Sequence, residues 1–102
     1  MKREEILAEA QRRVCGDREQ DYGSPENNFD TVARMWAAYL YAMPKDANGY
    51  RILEPKDVAA MLALLKIARI ATGHAKTDNW VDLAGYAACG GEIETEDAND
   101  RT

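Results

Sequence analysis

The sequence predicts an all-α fold: a four-helix bundle with short loops, completed by oligomerisation. Apolar residues recur at 3- and 4-residue steps along four segments, and no segment shows the strict alternation of a half-buried strand. Proline and glycine are scarce, at 3 and 7 of 102 residues. One segment, 55–72, is apolar around most of its circumference, as expected of a helix central in a bundle or buried in an oligomer.

The first helix is expected from about Lys2 to Cys15, with Ile6, Leu7, Ala10 and Val14 as its apolar stripe and Gly16 as a natural stop. Residues 17–23 form a polar connector ending in Asp21-Tyr22-Gly23. The second helix opens at Ser24-Pro25-Glu26, where Ser24 suits the N-cap and Pro25 the first helical position. Asn27 stands where Glu or Gln would complete a capping box. Phe29, Val32, Ala33, Trp36, Leu40 and Met43 then give the clearest amphipathic stripe of the chain, and Pro44 ends it.

Residues 45–54 read as a loop turning at Asn48-Gly49, with a short extended piece possible at Tyr50–Leu53. The third helix is expected from Pro55 to Thr72 and stops at Gly73. The fourth starts behind Thr77 and ends at Gly90-Gly91, with Trp80, Val81, Leu83, Ala84, Ala87 and Ala88 as its apolar arc. This gives one domain over residues 1–91 and an acidic, flexible tail over 92–102.

Glu92, Glu94, Glu96, Asp97 and Asp100 against Arg101 place most of the net charge of −5 in that tail. The body lacks the basic stripe that nucleic-acid backbone binding requires. The leading residues MKREE lack the apolar stretch of a signal peptide, and no apolar run approaches a bilayer span, so a cytoplasmic protein without a membrane partner is expected. Cys15 and Cys89 have no metal-type spacing and read as reduced, partly buried thiols.

Three constellations could carry chemistry. Asp78 and Asp82 lie i,i+4 on the fourth helix, one turn apart on a face shared with Gly85, Tyr86 and Cys89. At the first helical position, Asp78 also complements the helix dipole. Together the two carboxylates are candidate ligands for Mg2+, which accepts one or two carboxylates plus waters and phosphate oxygens. Lys66 and Arg69 interrupt an apolar helix about 60° apart. They either form structural ion pairs with Asp82 or Asp57, or bind phosphate, or hold the aspartates in place until a ligand arrives. Tyr22 and Asn28, flanking a helix N-terminus, exceed the needs of a cap and are candidate contacts to a nucleobase. Trp36, Trp80, Tyr39 and Tyr41 read as core or interface, and His74 as a surface residue.

In order along the chain stand Asp21-Tyr22-Gly23, Pro25, Asn28-Phe29, Trp36, Asp57-Val58-Ala59, Lys66-Ile67-Ala68-Arg69, Asp78, Val81-Asp82 and Gly85-Tyr86. This pattern resembles a family of small phage and prophage proteins of unknown function. That family is distantly similar to phage nucleotide-modification-associated domains and, more remotely, to MazG-type all-α NTP pyrophosphatases. In the MazG type a Glu-Glu-x-x-Asp element supplies Mg2+ ligands. Asp78 and Asp82 match its outer acids, whereas Asn79 replaces the middle one. The type's earlier Glu-Glu-x-x-Glu element has no counterpart between Val58 and Arg69.

The resemblance implies an oligomeric, nucleotide-related protein of the bacterial host's cytoplasm. The resulting expectation is a homodimer or tetramer that binds a nucleotide or phosphorylated metabolite with Mg2+. Tyr22, Asn28, Lys66 and Arg69 would contact the ligand, Asp78 and Asp82 the metal, with hydrolysis of a phosphoanhydride as a further step. A nucleotide sponge without chemistry and a non-enzymatic binder of a host protein are the alternatives.

Overall fold

A computed structural model describes residues 1–17, 25–73 and 77–100. Four α-helices account for most of them: α1 (Arg3–Arg12), α2 (Pro25–Ala42), α3 (Pro55–Thr72) and α4 (Thr77–Asp100). No strand occurs among the described residues, and Tyr50–Leu53 is loop. The all-α expectation therefore holds.

Proline and glycine punctuate α3 as the sequence suggests. Pro55 opens it, the Glu54 N–H donates to Asp57 Oδ2 at 2.9 Å, and the Gly73 N–H closes it on the Arg69 carbonyl at 3.0 Å. The α2–α3 loop is organised by Asp46. Its Oδ1 accepts the N–H groups of Asn48 and Tyr50, both at 2.9 Å, and Gly49 takes φ +86°, a conformation that favours glycine.

α3 is the middle of the assembly and packs on α2 along one side and on α4 along the opposite side. Helical phase explains this. Asp57, Met61, Ala68 and Thr72 fall within about 60° of one another and meet α2. Ala59 and Lys66 lie within about 20° of each other, roughly opposite, and meet α4. The Trp36 Nε1–H donates to the Met61 carbonyl at 2.7 Å, and the Tyr39 hydroxyl to Asp57 Oδ1 at 2.5 Å, which stitches α2 to α3. On the other side an ideal Cβ on Gly90 would stand 3.1 Å from the Ala59 Cβ, so α4 approaches α3 closely there.

This close approach accounts for the first correction. Gly90-Gly91 does not end the fourth helix, which continues to Asp100. Two mid-helix glycines cost roughly 1 kcal/mol each against alanine, but at Gly90 the missing side chain lets the helices meet. The first helix also differs in its end: beyond Arg12 it widens into a π turn over Arg13–Asp17, passing through Gly16.

The apolar core is small. Among the described residues only Val32, Ala59 and Ala68 are buried apolar side chains. α1 buries none of its residues, and Ile6, Leu7 and Val14 of its stripe are exposed. Tyr41 and Trp80 are exposed too, so neither is core within one chain. Both cysteines are free, and both are exposed rather than partly buried, because each lies outside the narrow faces that meet α3. The radius of gyration is 17.0 Å, against about 13 Å for a compact domain of this length. The accessible surface of 7601 Å2 likewise exceeds the about 5,800 Å2 expected for a folded monomer of 11.4 kDa.

Candidate functional site

More polar than apolar side chains are buried among the described residues: Asn28, Asp57, Lys66 and Asn79. Buried polar groups are costly unless partnered, so where each one bonds indicates what it does.

Asn28, on the first turns of α2, is 2% exposed and sits beside the C-terminal end of α3. The Thr72 hydroxyl lies 2.8 Å from the Ala68 carbonyl and 3.3 Å from Asn28 Oδ1. With a single proton to donate, Thr72 serves the nearer carbonyl best, so its bond to Asn28 Oδ1 is the weaker of the two. The sequence pointed to Asn28 as a ligand contact at a helix N-terminus; the structure places it inside the helix junction.

On the opposite side of α3, Lys66 Nζ lies 2.8 Å from Asp82 Oδ2. The lysine side chain is 10% exposed and the aspartate 46%. Of the pairings open to Lys66 in the sequence, the structure therefore forms the one with Asp82. Asp57 is engaged elsewhere. Arg69, one turn beyond Lys66, is half-buried with its Nε fully covered. Asp78 is exposed in the first turn of α4, where its charge complements the helix dipole. No group of three or more His, Cys, Asp or Glu side chains among the described residues is placed to hold a metal ion. Tyr22 and His74 lie outside the described residues.

Asn79 is the residue that sequence reasoning passed over. It is 1% exposed, and its Nδ2 has no hydrogen-bond partner among the described residues. Leu83, Tyr86 and Gly90 share its helical face, the one applied to α3, and that spacing was the available signal. A buried donor left without an acceptor typically costs about 1–3 kcal/mol. Asn28 and Thr72 meet at the C-terminal end of α3, with Arg69 one turn before it, while Asn79 is buried in the first turn of α4, one turn before the Asp82 that pairs with Lys66.

A second polar cluster surrounds Asp57 at the other end of α3. Its carboxylate accepts from Tyr39, from the Glu54 N–H, and from Lys56 Nζ at 3.1 Å. These donors, Tyr39 foremost, hold the Asp57 carboxyl below its usual range, and the same bond raises the Tyr39 hydroxyl. All of this is explained by tying the start of α3 to α2. A cleft of about 460 Å3 opens beside it under the α2–α3 loop, and a groove of about 390 Å3 runs between α3 and α4 from Ala59 to Gly91. Neither is lined by Asn28 or Asn79.

The arrangement can be set beside known proteins. A family described as Domain of unknown function (DUF6378) matches residues 5–94. The chain belongs to this family. It is 40% identical over 87 residues to the Gene 55 protein of Mycobacterium phage D29, covering 84% of this chain and 51% of the relative. It is 39% identical over 82 residues to the Gene 55 protein of Mycobacterium phage L5, covering 80% and 47%. The chain thus spans about half the length of these curated relatives. The expectation of a small phage protein family is met. No solved structure matches. No helix among the described residues is long and apolar enough to cross a membrane.

Proposed function

We propose that the polar residues around the end of α3 and the start of α4 bind a small phosphorylated ligand of the nucleotide class together with Mg2+, in the manner of a reduced MazG-type site. The observation that carries this is Asn79: a fully buried carboxamide whose Nδ2 finds no acceptor among the described residues. Natural structures rarely leave such donors unmet unless a ligand or water completes them. Asn28, buried at the start of α2 beside the end of α3, would supply a second amide. Carboxamides, with donor and acceptor side by side, suit the edge of a base, to which Tyr22 would add a stacking face. Arg69 and Lys66 would take phosphate oxygens.

Asp78 and Asp82 fit Mg2+ as a pair of carboxylates open to solvent, with waters and phosphate oxygens filling the remaining positions. When bound, the ion supplies charge neutralisation at the phosphates. Before that, the ion pair with Lys66 keeps Asp82 in place. Hydrolysis of a phosphoanhydride in the host cytoplasm is the stronger form of this reading, and sequestration without turnover the weaker. A self-associating chain, dimer or tetramer, is part of it, supported by the small core and the excess accessible surface.

Thermal unfolding of the full chain with a panel of nucleoside di- and triphosphates, with and without Mg2+, tests it. A rise in Tm that needs both components is expected, and pyrophosphate release separates hydrolysis from sequestration. No shift with any nucleotide, and no release, overturns the proposal and favours a host-protein binder.

A further inference from the structure

Two apolar surfaces have no partner among the described residues. One is the stripe of Ile6, Leu7 and Ala10 on α1, a helix that buries nothing, continued by exposed Val14 in the π turn that follows. The other is the groove of about 390 Å3 between α3 and α4, floored by Ala60, Ala63, Ala87, Gly90 and Gly91, with Tyr86 on one wall. Its only charged lining residues are Lys56 and Glu94. Small residues on the floor of a groove let another helix approach to close range.

The two glycines separate what one chain explains from what it does not. Gly90 is required by Ala59, 3.1 Å from where its Cβ would be. Gly91 has nothing within 4 Å of such a Cβ. Yet glycine at this mid-helix position costs about 1 kcal/mol of helix propensity against alanine. Within one chain that cost meets no packing need.

The surface arithmetic points to a second copy as the occupant. The accessible surface of 7601 Å2 exceeds that of a folded monomer of this mass by roughly 1,800 Å2. Obligate homodimers bury about 1,000–2,500 Å2 on each protomer. The excess lies within that range, and one reciprocal exchange of α1 helices covers both surfaces at once.

We propose that two copies of this chain exchange their α1 helices, the stripe of α1 from each copy seating in the α3–α4 groove of the other. The exchange refines the self-association reading above and is independent of the ligand reading. It gives Gly91 its reason, since the incoming helix backbone needs the space that a side chain would fill. It also explains why all four apolar positions of that stripe stand uncovered.

Light scattering of the full chain at micromolar concentration should report about 23 kDa, twice the 11.4 kDa of one chain. Leu7→Glu on α1 and Gly91→Leu in the groove should each shift the species to a single chain while the helical signal is retained. In a background with Cys15→Ser and Cys89→Ser, chains carrying Leu7→Cys are mixed with chains carrying Gly91→Cys and oxidised. Covalent dimers containing one of each are expected. A wild-type chain that runs as 11.4 kDa overturns both exchange and self-association. A dimer that survives Leu7→Glu, or an absence of mixed cross-links, overturns the exchange and leaves self-association standing. In the same background, a chain carrying both Leu7→Cys and Gly91→Cys that cross-links only within itself places α1 in its own groove and likewise overturns it.

Discussion

Lys66 and Asp82 join α3 to α4 through a contact of 2.8 Å whose two ends stand in different solvents: the lysine is nearly covered, the aspartate half open to water. That asymmetry decides what breaking the pair does. Removing one partner of a wholly buried pair costs about 3–5 kcal/mol, whereas exposed pairs contribute about 0–1 kcal/mol. Asp82→Asn should fall between them, at about 1–2 kcal/mol of lost stability. Lys66→Met, which removes the buried charge itself and keeps its volume, should cost less or be neutral. Urea unfolding of the three proteins checks the order; an Asp82→Asn loss of 3 kcal/mol or more would make Asp82 a fold residue first.

The Tyr39–Asp57 bond predicts a pH signature. The Asp57 carboxyl is held low, mainly by the Tyr39 hydroxyl. Its contribution is therefore present above the unfolded carboxylate value of about 3.9 and is lost as pH falls through the lower folded value. The Tyr39 hydroxyl is raised by the same bond, so its contribution is present below about pH 10 and is lost as pH rises through its folded value. Tyr39→Phe should cost about 1.5–3 kcal/mol at neutral pH. The gap between variant and wild type should narrow at both extremes, as read from Tm against pH. A gap independent of pH would show that Tyr39 acts by packing alone.

The helical architecture was legible because its signals are local. Pro55 and Gly73 bracket α3, and the spacing from Phe29 to Leu40 announces α2. Lys66 and Asp82 stood out as charges in apolar sequence, and they do meet. What was not legible depends on distance in the chain. Gly90 reads as a stop until Ala59, 31 residues earlier, is known to lie against it. Asn79 looks like any polar residue in a first helical turn; its spacing to Leu83, Tyr86 and Gly90 puts it on their face, and the placement of α3 buries that face. The stripe of α1 reads as an apolar face, and it is exposed in the structure; periodicity carries no information on what, if anything, covers such a face.

The continuation of α4 past Gly91 sharpens the expectation for the acidic segment. Ile93 is half-buried, on the face of α4 that meets α3, whereas Glu92, Thr95 and Glu96 are exposed. A chain ending at Glu96 should therefore melt within a few degrees of the full chain. One ending at Gly91 loses the Ile93 contact, about 1 kcal/mol, which corresponds to roughly 4–8 °C for a domain of this size. Equal melting of all three would make residues 92–102 fully dispensable. A larger fall on truncation at Gly91 would show that the segment is docked more extensively than Ile93 alone explains.

Asn79 sets stability against function in one side chain. Its buried Nδ2 has no acceptor among the described residues, so the folded chain bears the desolvation of that donor without compensation. Replacing it by leucine, similar in volume and apolar, removes the uncompensated group. Asn79→Leu should then raise apo stability by about 1 kcal/mol. The same change should abolish the nucleotide- and Mg2+-dependent rise in Tm, because the ligand loses the donor it completes. Wild type and variant are compared by thermal unfolding in both conditions. A variant that is less stable than wild type would mean that Asn79 holds the fold together through an acceptor. A variant that is more stable but keeps the full ligand shift would leave Asn79 outside the site and remove the observation on which the proposed function stands.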